Sequence, residues 1–177
     1  MTLGKLLVRY RDNISIKKRG AQGETHIIGR FLRHQISSLS LLNTSASAVA
    51  RFRDDRLKQV KPATVRRELA VLQHCFEVAR REWGLPIQIN PVAQISMPQA
   101  GSPRDRRLNE GELEQLLMGC ERGRTPLLAP IIQFAIETGM RRGEIVAAQW
   151  VDVGLEARTL HIPITKNGFA RTIPLTV

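Results

Sequence analysis

Four of the nine prolines fall between Pro86 and Pro103, and the stretch Pro98 to Arg107 (PQAGSPRDRR) mixes turn formers with charge and shows no apolar periodicity. No helix or strand runs through such a segment, so the 177 residues are expected to fold as two parts, each with its own core. The same break divides the charge. Up to Arg106 there are 19 Lys and Arg against 8 Asp and Glu, whereas from Arg107 onward there are 8 of each, so the whole excess of +11 lies in the first part. A one-sided cationic excess points to a polyanionic partner, because Lys and Arg that neutralise phosphates supply most nucleic-acid affinity. The competing reading is a solvated basic surface kept for solubility. An aromatic content of 5% argues against base-stacking platforms for single strands or RNA and favours double-stranded DNA.

No window approaches the roughly 18 apolar residues of a membrane span. The start, MTLGKLLVRYRDN, meets charge too early for a signal-peptide core. The expectation is a cytoplasmic chain with no membrane partner. Cys75 and Cys120 stand apart without His or Cys at ligand spacing, which suggests neither a disulfide framework nor a metal site.

In the first part, Leu3, Leu6, Leu7 and Tyr10 follow helical spacing after Thr2, a good N-cap. A second helix is predicted over Glu24 to Gln35, burying Ile27, Ile28, Phe31 and Leu32. A third is predicted from about Ser45 to Gln59, with Val49, Phe52 and Leu57 inward. The longest, ATVRRELAVLQHCFEVARREWG, is preceded by Pro62 and stopped by Gly84; Val65, Leu69, Leu72, Phe76 and Ala79 mark its buried stripe. Off that stripe lies a polar, mostly basic face. Arg67 is read either as a surface partner of Glu68 or as a DNA contact, Arg66 as a phosphate or base contact, and His74 as a surface or DNA-facing residue.

The second part opens with Asn109 as the expected cap of a helix carrying Glu112 at its third position. PLLAPIIQFAIE is uncharged until Glu137 and is expected at the centre of the core. A short helix over RRGEIVAAQW precedes a strand in which Leu160, Ile162 and Ile164 alternate with Thr159, His161 and Pro163. Asn167-Gly168 is read as a two-residue turn into a partner strand, Arg171 to Leu175, with Val177 at a sheet edge.

The run IETGMRRGEIVAAQWVDV, followed by RTLHIPI, TKNG and RTIPL, closely resembles the first arginine box and lysine hairpin of the tyrosine recombinases, the phage integrase family. Upstream, KPATVRRELAVLQHCFEVARREWG and INPV resemble that family's helical core-binding domain and its exit. The resemblance implies a mainly α chain: a helical (SAM-like) core-binding domain over 1–97, a linker over 98–107, and over 108–177 an incomplete α/β catalytic domain with a small hairpin sheet. It implies a site-specific DNA recombinase in which a tyrosine attacks the scissile phosphate and forms a 3′-phosphotyrosyl link, with no metal or other cofactor.

On the matching positions, Arg141 would stabilise charge on the phosphorane-like transition state with paired hydrogen bonds. Lys166 would protonate the leaving 5′ oxygen, and Glu144 would orient the site without acting as a base. Lys61, Thr64, Arg66, Arg67 and His74 would face DNA. The family's second box and nucleophile lie beyond the hairpin, and the single tyrosine here, Tyr10, is a core position of the first helix. Two classes therefore compete: a recombinase whose chemistry is incomplete in this polypeptide, and a DNA-binding module or regulator without catalysis. A general nucleic-acid binder of other ancestry is a third and weaker reading. A monomer is expected in solution, with oligomers on DNA in full-length relatives.

Overall fold

The computed structural model describes residues 1–99, 101–102 and 105–175. Three residues within the segment read as a linker, and Val177, read as a sheet-edge residue, lie outside the described residues. The chain forms two compact units, 1–104 and 105–177.

The first unit is helical. Helix α1 (Leu3–Asn13) begins where the Thr2 side chain accepts from the Lys5 N–H at 3.3 Å, and Leu3, Leu6, Leu7 and Tyr10 form its buried stripe. Its start is tied to the segment around Ser40 by Leu3 N–H to Leu39 C=O (2.9 Å) and Leu41 N–H to Met1 C=O (3.1 Å). Helix α2 (Ala21–Arg33) starts three residues earlier than its apolar pattern indicates and buries Ile27, Ile28 and Phe31. Helix α3 (Ala46–Leu57) is capped by the Ser45 side chain and buries Val49 and Phe52. Leu57, expected inward, is 37% exposed. Five residues beyond Phe52, it points about 140° away around the helix.

Helix α4 (Pro62–Arg81) has proline in its first turn and ends before Gly84, whose φ of +61° suits glycine. It buries the five expected apolar residues together with Val71, Cys75, Val78 and one charged residue, Glu68. The Phe31 and Phe52 rings stack at 4.4 Å between centroids, joining α2 to α3. After α4, buried Asn90 folds the exit back: its Nδ2 donates to Gln73 C=O (3.0 Å) and Glu77 Oε1 (2.9 Å), and its Oδ1 accepts from Val92 N–H (3.1 Å).

The second unit holds α5 (Glu112–Glu121), α6 (Leu128–Thr138), α7 (Arg142–Ala147) and an antiparallel sheet of β1 (Val153–Gly154), β2 (Thr159–Ile162) and β3 (Arg171–Pro174) in that order. Leu160 faces Val153 on one side and Ile173 on the other. Three expectations are corrected. Helix α5 begins at Glu112 behind Gly111, in the left-handed region at φ +78°, rather than at Asn109; of the expected capping box only the Glu112 half forms, its carboxylate accepting from Asn109 N–H at 2.9 Å. Helix α6 has no fully buried residue, and Ile131 and Ile136 are each 45% exposed. An uncharged surface needs a facing partner to be buried, and the small core of Met140, Leu160 and Ile162 engages α6 chiefly through Phe134. The β2–β3 connection is not a two-residue turn: residues 163–170 span it, with a tight turn closed by Gly168 N–H to Thr165 C=O at 2.9 Å.

Truncating the stacked core is expected to loosen the helical unit alone. Phe52→Ala should cost about 3–5 kcal/mol of that unit's stability, read by urea denaturation followed through Trp83, while amide exchange in β2 and β3 stays unchanged.

Candidate functional site

The arginine box is built by the end of α6. Thr138 Oγ1 donates to Phe134 C=O and accepts from Met140 N–H at 3.3 Å, and Gly139 turns the chain with a φ of +61°. Met140 is then buried, which leaves Arg141 as the residue before α7 with its side chain 54% exposed. Glu144, on the first turn of α7, is buried beneath it. Its Oε2 accepts from Arg141 N–H (3.0 Å) and Arg171 Nη2 (2.8 Å), and its Oε1 accepts from Arg141 Nη1 (3.1 Å). The Arg141 amide, then the two guanidiniums, hold the Glu144 carboxyl below the ordinary glutamate range. A carboxylate so engaged cannot serve as a base near neutral pH. It fixes the Arg141 backbone and one edge of its guanidinium, leaving the other N–H groups free for an oxyanion.

Lys166 sits exposed in the Thr165–Gly168 turn of the β2–β3 connection. No hydrogen bond or ion pair joins it to Arg141 or Glu144 among the described residues. Arg171, at the start of β3, joins the same Glu144 carboxylate, a contact that sequence reasoning missed. Its carboxylate partner lies 27 positions away, a pairing no local spacing announces.

In the helical unit, a groove of about 650 Å³ runs between α2 and α4, lined among others by Lys18, His26, Arg30, Thr64, Arg67 and His74 and also by the acidic Glu24 and Glu68. Thr64, Arg67 and His74 share one face of α4 by their spacing of three and seven residues. Lys61, exposed, occupies the position before the helix start without capping it by its side chain. Arg66 is not among the groove residues: its Nη1 donates to Pro98 C=O at 2.8 Å, anchoring the chain's exit. Arg67 does not pair with Glu68. That carboxylate is held by Arg30 (3.0 Å) and by Arg56 (2.8 Å). Its position was legible, since Glu68 falls three residues after Val65 and four before Leu72 on the buried stripe.

His74 is exposed, and its Nδ1 lies 2.7 Å from the hydroxyl of Tyr10, which also accepts from Lys18 Nζ at 2.7 Å. Lys18 in turn pairs with Glu24 at 2.8 Å. The ammonium can only donate, so the Tyr10 hydroxyl accepts from it, and its own proton faces two acceptors, His74 Nδ1 and Glu24 Oε2 at 3.5 Å. Tyr10 is thus a core residue whose polar tip joins a network at the groove. Burial, more than any charge, raises its pKa, and burial likewise pushes the neighbouring Cys75 thiol up to about 12.

Residues 106–177 match the phage integrase family. A putative integrase/recombinase of Haemophilus influenzae is 36% identical over 179 residues, covering 97% of this chain and 58% of the relative. The shufflon-specific DNA recombinase of Escherichia coli is 36% identical over 184 residues, covering 99% of the chain and 47% of the relative. The chain belongs to the phage integrase family. It spans about half the length of the curated relatives it matches. The integrase fold is shared by a lambda integrase dimer bound to a COC′ core site, with a TM-score of 0.83 at 22% identity over 98% of this chain and 49% of that one. It is also shared by the Tn1549 transposon integrase in complex with transposon right end DNA, with a TM-score of 0.79 at 16% identity over 99% and 61%. The mainly α architecture with a small antiparallel sheet is therefore an integrase architecture. Among the described residues no helix is long and apolar enough to cross a membrane.

The lowered Glu144 pKa has a definite sign in this integrase-family unit. The carboxylate's contribution to stability is full above the ordinary glutamate value of about 4.3 and is lost as pH falls through the lower folded value. Carboxyl NMR should show Glu144 titrating below that ordinary value, and Arg171→Gln should raise its midpoint. A midpoint at or above the ordinary value would contradict the geometry described.

Proposed function

We propose that this chain is the duplex-binding and arginine-bearing part of a site-specific DNA recombinase of the tyrosine type. The observation that carries the reading is the pairing of two features on one chain: a groove along α2 and α4, in which Lys18, Arg30 and Arg67 outnumber Glu24 and Glu68, on the part that holds the whole cationic excess, and an exposed guanidinium, Arg141, fixed by a buried carboxylate. Residues 1–97 act as the core-binding domain, 98–107 as the linker and 108–177 as part of the catalytic domain. The relatives are integrases and recombinases, and the solved neighbours are held on DNA.

In the reaction, a tyrosine oxygen attacks the scissile phosphorus and the 5′ oxygen leaves. Arg141 donates hydrogen bonds to the non-bridging oxygens as charge builds on them. Lys166, at the tip of its turn, gives a proton to the leaving 5′ oxygen. Glu144 and Arg171 are positioning residues, since each acts through Arg141. Lys61, Thr64, Arg67 and His74 hold the duplex, with Arg66 supporting the end of that face through Pro98. Free of DNA the chain is a cytoplasmic monomer.

The other reading open from the sequence, DNA occupancy without strand cleavage, is not favoured by the comparisons with integrases and recombinases. The single tyrosine, Tyr10, is fully buried in the helical unit, with its hydroxyl bonded to Lys18 and His74.

Both readings meet in one experiment on the 177-residue chain. Binding to a generic duplex is expected to weaken steeply with salt. Charge reversal at Lys61 or Arg67 should lower the log–log salt slope by about 0.9 or more for each phosphate left without its cation. On a nicked suicide duplex no covalent protein–DNA adduct is expected. Salt-independent or absent binding would reject the DNA-binding role, and an adduct would show that this chain cleaves by itself.

A further inference from the structure

One buried carboxylate serves two guanidiniums between α2, α3 and α4, and the division is unequal. Arg56 meets Glu68 with two hydrogen bonds, Nε to Oε2 at 2.9 Å and Nη2 to Oε1 at 2.8 Å, and gives Nη1 to Gln59. Arg30 makes one contact, Nη1 to Oε1 at 3.0 Å. The Arg56 side chain is 14% exposed and that of Arg30 is 42% exposed. A two-bond fork is the stronger ion pair, so the charge of Glu68 is matched chiefly by Arg56. Two cations and one anion leave a net positive charge, and it resides on the more exposed partner. Nε and Nη2 of Arg30 make no hydrogen bond among the described residues.

Arg30 also stands between two hollows. On one side it lines the groove with Thr64, Arg67 and His74. On the other it lines a shallower depression with Arg33, Arg56 and Gln59. We propose that Arg30 is a phosphate contact of the bound duplex, and that Glu68 and Arg56 are the positioning residues that hold its guanidinium by one corner while leaving its charge uncompensated. The inference rests on the DNA-binding reading above and adds to it a residue outside the α4 face. A guanidinium anchored in this way has surrendered part of its side-chain freedom on folding, which lowers the entropy given up when DNA binds. It also presents the remaining edge of its planar fork to a phosphate.

The test is salt-titrated binding of the full chain to a generic duplex by fluorescence anisotropy, with each variant's melting recorded. Arg30→Gln should lower the log–log slope by about 0.9, so that a fourfold rise in salt costs it about 3.5-fold less affinity than it costs the parent chain. Arg30→Lys keeps the charge and should keep the slope. Arg56→Gln leaves Glu68 to neutralise Arg30, so it should lower the slope similarly although Arg56 itself is sheltered. Arg81→Gln, whose arginine pairs with Glu77 near the end of α4, removes the same unit of charge and should leave the slope unchanged. Since Arg56 continues to satisfy Glu68 in Arg30→Gln, that variant should fold. A parental slope in Arg30→Gln alongside a lowered slope in Arg67→Glu overturns the phosphate contact. A parental slope in folded Arg56→Gln overturns the sharing of charge. A parent chain that fails to bind overturns the DNA-binding reading itself, a distinct result.

Discussion

The helical unit is organised around a carboxylate that has no access to water. Glu68 stands on the apolar stripe of α4 with its side chain 1% exposed, and an ionised carboxylate in that setting is costly unless its oxygens are filled. Both are filled, by Arg30 from α2 and Arg56 from α3. Burial of Leu, Val and Phe draws helices together without specifying their rotation, because the hydrophobic effect is non-directional. Three directed hydrogen bonds to one residue remove that freedom. Together with the Phe31–Phe52 stack they hold α2, α3 and α4 around a groove on one side, where Arg30, Arg67 and His74 line the wall.

The second unit applies the same device to a smaller framework. Glu144 ties the start of α7 to β3 by accepting from Arg141 and Arg171, and the sheet it secures is only three short strands. In both units a buried acid receives two arginines, one or both of which remain partly exposed. As free surface charges these cations would have no fixed place for their long side chains; here the proposed phosphate-facing groups are held before any ligand arrives.

Much of this architecture was legible from the chain. Thr2 and Ser45 cap the helices they precede, Pro62 opens α4, Gly84 follows its end, and the apolar stripes of α1, α2 and α4 are buried as their spacing demands. Arg141 and Glu144 were visible through the family resemblance, which gave Glu144 an orienting role. Errors arose where a local pattern needed a distant partner to be realised. Leu57 lay at the edge of its stripe, α6 was apolar without an adequate facing surface, and the start of α5 moved from Asn109 to Gly111, which takes the left-handed turn.

Local stereochemistry, read from sequence, determined where α1 and α4 start and stop and which face each one buries, because propensity, capping and periodicity act over a few residues. Composition located the cationic excess in the first unit, and the family resemblance located the arginine box in the second. Only the tertiary structure decided which charges are spent and which are left over. Arg66 was drawn to Pro98, Arg67 was left without Glu68, Arg56 was committed to that carboxylate, and Arg171 was brought to Glu144 from 27 residues away. Ion pairing depends on distances between elements, and those distances exist only after the cores have packed.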